Sequence, residues 1–505
     1  MTRIVLLVVI GAAAGSGIAL ASLSTGALAG HRCAGVRARR ELRPTLALDP
    51  RASAPRVFAM QFKQDLTNVT TYKRFETKID CLIREYVVPH LARHRPNVVV
   101  FNEDVGLMTL GIGTRGASAR DAFGRPGGPS CEGQGEPCAT LGALAAVSAA
   151  YSPQITDYES RFGGAIDSPV AAFVGATDTV VRGFMKTFSD LARRYGVYLV
   201  GSMDLPPFRQ SARPNDVSVF HDPDYPPPRF VYVARSPRVY DEVFMWGPHD
   251  VRRSGPGVLR NVVASNRKVP LTPLEQEIGF TPGPSHGPAA VANLRPYRLR
   301  GTRAWIGFAT SLPAFEYGKP PRDTDPCSDT SRYYMRCLNR LGANLVIQDE
   351  ANPGRWTGPD GSSREKWQPL SWMLSTYRAV SDASVRFDYN VTAMMVGNLA
   401  DLAFDGQSAI TQRGLFGRGC HYIGDRAFIP GEDLRSLRRY AGRRPDFLAM
   451  APWVVGDRSR ARLRAVGAEL APGSGSTLEN DYAETAIVAD LPIPVDHHRR
   501  GCVTR

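Results

Sequence analysis

The chain has 505 residues, 43% hydrophobic and 22% charged, which is ordinary globular composition and long enough for one large α/β domain or two smaller ones. Its formal charge of +14 invites a nucleic-acid reading, but only 7 of its 62 basic residues are lysines and the arginines are scattered. With no basic stripe, zinc spacing or aromatic RNP-like motif, a nucleic-acid partner is not expected.

Residues 4–30 carry no charge and end in ALAG (residues 27–30). A short basic start, an apolar run and a small-x-small site describe a secretory signal. The same run is long enough to span a bilayer, so an uncleaved membrane anchor is the alternative. Either places the protein outside the cytoplasm, although Arg32, Arg37, Arg39 and Arg40 just beyond are awkward for export. Residues 31–54 are basic and Pro-containing and read as a linker; residues 55–490 read as the folded domain and 491–505 as a tail.

RVFAMQF (residues 56–62) is the first expected strand. Phe75, Ile79, Leu82, Ile83, Tyr86, Val87 and Leu91 recur at helical spacing over residues 71–94, an amphipathic helix for packing on a sheet. PNVVVFNEDVG (residues 96–106) follows as a buried strand that stops abruptly at Asn102, Glu103 and Asp104. Residues 106–180 are rich in Gly, Ala and Ser and read as a long insertion or lid. Within them Cys131 and Cys138, in SCEGQGEPC, suit a disulfide, with two free thiols as the bland alternative. Phe184, Phe188 and Leu191 mark another helix before the strand GVYLVGS (residues 196–202). Hairpin-like strands are expected over 230–234, 239–246 and 259–264. WIGFATSL and NLVIQ are later strands with TSRYYMRCLNRLG helical between them. This alternation predicts α/β architecture, with helices covering a sheet.

Three residues could carry chemistry. Glu103 stands where a buried strand ends, the position at which α/β proteins place their sites, and burial would tune it as a general base. Its bland alternative is a capping or salt-bridging acid. Lys268, in NRKVPL, is a compact charge suited to a developing oxyanion, against the alternative of a solvated lysine. Cys327 precedes a helical stretch whose positive end would stabilise a thiolate, with the Ser328 N–H directed into the same space. A buried hydrophobe or half of a disulfide is the ordinary alternative.

Taken together, VVVFNE, NRKVPL with FTPG behind it, and CSDT followed by GANLVIQ and NPGRW resemble the nitrilase superfamily of carbon–nitrogen hydrolases. RVFAMQF, YGVYLVGS, VYDEVFMWGP and FDGQSAI resemble further strands of that family, so the likeness runs over about residues 55–490. The resemblance implies an αββα sandwich, often assembled as a homo-oligomer, with Glu103 as general base, Lys268 as oxyanion stabiliser and Cys327 as nucleophile. A second glutamate of many members matches Glu275, with Glu277 as rival, and Trp356 falls in the substrate-facing loop. The implied reaction is hydrolysis of a small-molecule amide or nitrile through a thioester, with no metal or organic cofactor.

Two departures bear on this. About fourteen residues, PAFEYGKPPRDTDP, separate WIGFATSL from Cys327; anchoring on the strand instead places Ser311 at the nucleophile position, where a hydroxyl far less acidic than a thiol implies a catalytically dead protein. The other is the long stretch after Asp104. Two readings therefore compete with the hydrolase: a catalytically silent binding or scaffold protein, which predicts Cys327 disulfide-bonded to Cys337 or Cys420, and acyl transfer to an amine.

Overall fold

Alternation along the strands sets the architecture. In this computed structural model, residues 33–49, 54–123, 138–351, 353, 368–415, 417–421, 446–454 and 460–501 are described. Two short strands, β1 (Arg40–Glu41) and β2 (Thr45–Ala47), precede β3 (Arg56–Lys63), β4 (Asn97–Val100) and β5 (Tyr198–Leu205). A ribbon of β6 (Phe208–Ser211) and β7 (Val231–Ala234) stands apart from the hairpin β8 (Tyr240–Trp246) and β9 (Val262–Arg267). The second half supplies β10 (Tyr297–Arg298), β11 (Trp305–Phe308), β12 (Leu345–Glu350), β13 (Tyr389–Leu399), β14 (Leu402–Asp405) and β15 (Ala409–Gln412). Short β16 (Cys420–His421), β17 (Asp446–Phe447) and β18 (Ala449–Met450) lead to β19 (Ala483–Asp490).

The principal sheet runs β10-β11-β12-β13-β3-β4-β5-β8-β9. β13 joins its halves: residues 389–394 pair in parallel with β12, whereas Met395 and Val396 pair with Phe62 and Lys63 of β3. Because successive strand residues face opposite ways, each half has two apolar faces. Val57, Ala59, Val98, Val100, Val243 and Met245 meet Ile306, Phe308, Leu345, Ile347, Tyr389 and Val391 in one core, sheet against sheet. Their alternates Phe58, Met60, Val99, Phe101, Phe244 and Trp246 pack under helices Tyr72–Leu82 and Lys186–Tyr195 through Phe75, Ile79, Phe188 and Leu191. On the far side Val346, Met394 and Val396 pack against Tyr334, Leu338, Met373 and Tyr377 from helices Thr330–Arg340 and Gln368–Ser381. The four layers are helix, sheet, sheet, helix: an αββα sandwich. A one-residue slip of β4 would turn Val99 and Phe101 from the helices into the sheet interface, so the register is strongly held.

Three expected boundaries come out differently. Residues 40–47, read as linker, add β1 and β2 alongside β19. Cys33 is disulfide-bonded to Cys81 on the first long helix, tying this segment down. Replacing Cys81 by alanine opens a link across 48 residues and is expected to cost about 2–4 kcal/mol, read as a lower urea midpoint. The described part of 106–180 is mainly helical, with Ala143, Val147, Tyr151, Tyr158 and Phe173 built into the core rather than laid over it as a lid. Along the tail, the Pro492 carbonyl accepts from Tyr389 Oη at 2.9 Å and the Asp496 carbonyl from Gln412 Nε2 at 2.8 Å, so residues 492–496 lie across the second half-sheet.

The 1–30 segment and Cys131 lie outside the described residues, as does Trp356; Cys138 opens helix Cys138–Ala150. Among the described residues no helix is long and apolar enough to cross a membrane.

Candidate active site

β4 delivers Glu103. Phe101 is still held by sheet geometry, its N–H donating to the Val200 carbonyl at 2.9 Å, and two residues later the chain turns sharply. Asp104 adopts a left-handed φ of 57°, and its N–H donates to Ser202 Oγ at 2.9 Å. Gly106 completes the turn where a Cβ would meet Phe184 and Met203 at 2.8–2.9 Å, so only glycine lets the backbone lie this close. Glu103 is thereby buried and aimed across the sheet, where Oε2 accepts the Ala351 N–H from just beyond β12 at 2.7 Å.

Lys268 arrives from the other side, immediately after β9. Its N–H donates to the Asp241 carbonyl and its own carbonyl accepts from Gly283, so the main chain is pinned on both edges. The side chain is 1% exposed, and Nζ lies 2.6 Å from Glu103 Oε1 and 3.3 Å from Asp241 Oδ2. It also contacts Glu275 Oε1. Glu275 is placed by a capping box: Thr272 caps helix Pro273–Ile278, and Glu275 Oε2 accepts the Thr272 N–H at 2.6 Å. Its rival Glu277 is exposed. Burial alone would lower the Lys268 ammonium, but Glu103, Glu275 and Asp241 outweigh it and hold the group well above its ordinary pKa.

The sequence reading missed two neighbours. Asp241 on β8 and Asp204 on β5 are buried beside Asp104, oxygens of the three lying within 4.8 Å of one another. Burial is the main reason their carboxyls rise, and nearby carboxylates add to it (Glu103 first for Asp104 and Asp241, Asp104 first for Asp204), pushing Asp104 up to about 8 and the other two well above the usual carboxylate range. Oxygens of Glu103, Asp241 and Glu275 are also close enough together to hold a cation, but the Lys268 ammonium already contacts all three. The local signal for Asp241 was VYDEV, a carboxylate inside an apolar strand.

A protonated native Asp104 has a sign. Its folded pKa exceeds the unfolded value, so the stability it contributes is complete below about pH 4 and is lost as pH rises towards about 8. Asp104→Asn is therefore expected to gain stability relative to wild type as pH increases across that window, measured by urea unfolding at pH 4.5, 6 and 8.

The third expected residue is not available. Cys327 forms a disulfide with Cys337 ten residues on, inside the apolar cluster with Val269, Tyr334 and Leu338. A sulfur in that bond has no thiol proton to lose and is no nucleophile. Cys420 is disulfide-bonded too. Nor is Ser328 an oxyanion donor: it is exposed, and its N–H donates to the Asp325 carbonyl at 2.9 Å.

Ser311 occupies the corresponding strand end. β11 pairs with β12, the ladder continues through Ala309 N–H to the Ile347 carbonyl, and Ser311 N–H donates to the Asp349 carbonyl at 3.2 Å. Ser311 is 1% exposed with φ 58° and ψ −122°, a conformation costing an L-residue about 1–3 kcal/mol. A serine on a sharp, strained turn at the end of a core strand is the geometry of a nucleophile elbow. Two residues past Asp349, Ala351 holds Glu103. Strand ends β4 and β9 thus bring together Glu103 and Lys268, with Glu275 completing the group, and the ends of β11 and β12 hold Ser311 and Asp349 beside the segment whose Ala351 N–H binds Glu103.

No family model and no curated protein matches the chain. Among solved structures it is similar to a double mutant of the amidase from Nesterenkonia sp. AN1 in complex with acrylamide, at 15% identity over 72% of this chain and 86% of that one, TM-score 0.35. A second mutant of that amidase, described as from the nitrilase superfamily, matches at 15% identity, with the same coverages of 72% and 86% and TM-score 0.34. A carbon–nitrogen hydrolase from Helicobacter pylori G27 matches at 11% identity over 79% of this chain and 85% of that one, TM-score 0.36. TM-scores below 0.5 assign no activity to this chain; they accompany an αββα layering that its own strands display.

Proposed function

We propose that the chain hydrolyses a carbon–nitrogen bond in a small-molecule amide or nitrile, with Ser311 as nucleophile, Glu103 as general base and Lys268 as the charge that stabilises the oxyanion. The observation that carries this reading is the strained backbone of Ser311 at the end of β11, one hydrogen-bonded strand away from the segment that clamps Glu103. Strain of this kind persists where surrounding structure over-determines it, and it clusters at reacting groups. The family resemblance of VVVFNE and NRKVPL supports the same roles for Glu103 and Lys268.

In the reaction, the Ser311 oxygen attacks the carbonyl or nitrile carbon as its proton passes to Glu103. Lys268 faces the charge that forms. For an amide, Glu103 returns the proton to the departing amine or ammonia and an acyl ester remains; for a nitrile the adduct is an imidate, which takes up one water before ammonia leaves and the same ester remains. A further water activated by Glu103 then releases the acid. Glu275 keeps Lys268 in place. A serine hydroxyl is far less acidic than a thiol, so this site needs its base more than a cysteine site would.

The Cys327–Cys337 bond favours a second reading, a silent binding protein on the same fold, because the sulfur expected to react is locked. Incubation with an alkyl fluorophosphonate, with the adduct mapped by mass spectrometry, separates the two. An adduct on Ser311 together with hydrolysis from an amide and nitrile panel supports the enzyme; an unmodified Ser311 and no turnover support the binding protein. Export from the cytoplasm, with or without an anchor, remains part of the proposal.

A further inference from the structure

β12 ends as β4 does: LVIQDE, like VVVFNED, is an apolar strand that stops at two carboxylates. Glu350 lies on the helix-facing side, where Oε1 accepts from Gln348 Nε2 at 2.6 Å. Asp349 continues the inward row of Leu345 and Ile347, and opposite it Thr310 continues the row of Ile306 and Phe308. The two rows meet in a hydrogen bond from Thr310 Oγ1 to Asp349 Oδ1 at 2.8 Å, with Asp349 0% exposed. Asp349 therefore holds the turn twice, through its carboxylate to Thr310 and through its carbonyl to the Ser311 N–H. The same strand end, two residues on, holds Glu103.

We infer that Asp349 is a positioning residue for the Ser311–Glu103 pair: it fixes the strained turn against the strand that clamps the base, and when ionised it adds a second negative charge that draws the Ser311 proton towards the carboxylates. The inference rests on the serine reading above and deepens it. The groups facing Asp349 are Glu103 from beyond β4, the Ser202 hydroxyl on β5, Thr310 beyond β11 and Tyr334 on helix Thr330–Arg340. Burial, and after it the charge of Glu103, pushes Asp349 up to about 7 despite the Thr310 hydrogen bond, so its charge changes within the physiological range.

The test is the pH dependence of Ser311 phosphonylation in the full chain by an alkyl fluorophosphonate, in which the Oγ–P bond forms, fluoride leaves and the serine proton passes to the carboxylates. Wild type is expected to react about tenfold faster at pH 8 than at pH 6, with a midpoint near 7. Asp349→Asn keeps an acceptor for Thr310 and loses that step. Thr310→Val, which removes the hydrogen bond that favours the ionised form, moves the midpoint to higher pH, a readout that stands even if the Asn variant folds poorly. Asp104→Asn retains the step. An unchanged profile in Asp349→Asn, or an unmoved midpoint in Thr310→Val, overturns the inference alone. No adduct on Ser311 at any pH overturns the serine reading and this inference with it.

Discussion

Replacing Ser311 by alanine is expected to abolish phosphonylation and to lower amide or nitrile turnover by about a thousandfold or more, the scale on which covalent catalysis fails when its nucleophile is removed. The fold is expected to hold or to gain slightly, because the hydroxyl is lost while the φ of 58° stays unfavourable for either residue. Cys327→Ala paired with Cys337→Ala is expected to do the reverse: adduct formation at Ser311 persists, and stability falls by about 2–3 kcal/mol as the ten-residue link is lost. The crossed outcome, activity lost with the disulfide and retained without the serine, would return the nucleophile to Cys327. The comparison needs only a phosphonate probe, intact-mass measurement and a denaturant titration.

Lys268→Met carries the largest expected stability effect. The ammonium is 1% exposed among Glu103, Asp241 and Glu275, so an apolar side chain of similar length leaves two buried carboxyls, and the half-buried Glu275, without their cation. Removing one partner of a buried ion pair costs about 3–5 kcal/mol, mainly for the charge left behind. The deficit has a pH sign: without the ammonium, whose charge offsets the burial that raises Asp241, that carboxyl binds its proton more tightly in the native state, so the variant recovers towards wild type as pH falls from 8 to 5. Urea unfolding across that range measures it. Adding Asp241→Asn to Lys268→Met should restore part of the loss at pH 8, because Asp241 is held in an almost wholly buried position. Equal stabilities of Lys268→Met and wild type at every pH would mean that the lysine does not sit among the carboxylates. Activity is expected to vanish in both variants, since nothing else in the group supplies a compact positive charge to an oxyanion.

Much of this was legible in local patterns. The continuous apolar runs Val98–Phe101 and Leu345–Ile347 state that both faces of those strands are buried, and the helical spacing of Phe75, Ile79 and Leu82 states which helix face covers them, which is the α/β pattern; the four layers came from the family resemblance. Glu103 was legible because it closes an apolar strand, whose end is fixed in space by its hydrogen-bonded neighbours; Lys268, after the more polar VVASNR, was legible from the scarcity of lysine and the likeness of NRKVPL. Asp241, Asp204 and Asp349 were not, because a carboxylate within or at the end of a strand reads the same whether it meets solvent, a cation or another acid.

By itself, then, the sequence determined the α/β alternation and, through its resemblance, the expected four layers and the candidates Glu103 and Lys268, since strand composition and short motifs are properties of a few neighbouring residues. Tertiary structure decided which candidate nucleophile is proposed. Whether a sulfur is free depends on which other cysteine folding brings beside it, and Cys337 on the facing helix takes that place. Whether a serine is poised depends on backbone torsion, and the φ and ψ of Ser311 are set by β11 pairing with β12 and by the Asp349 carbonyl, contacts made across nearly forty residues of chain. Spacing along the sequence carries neither quantity.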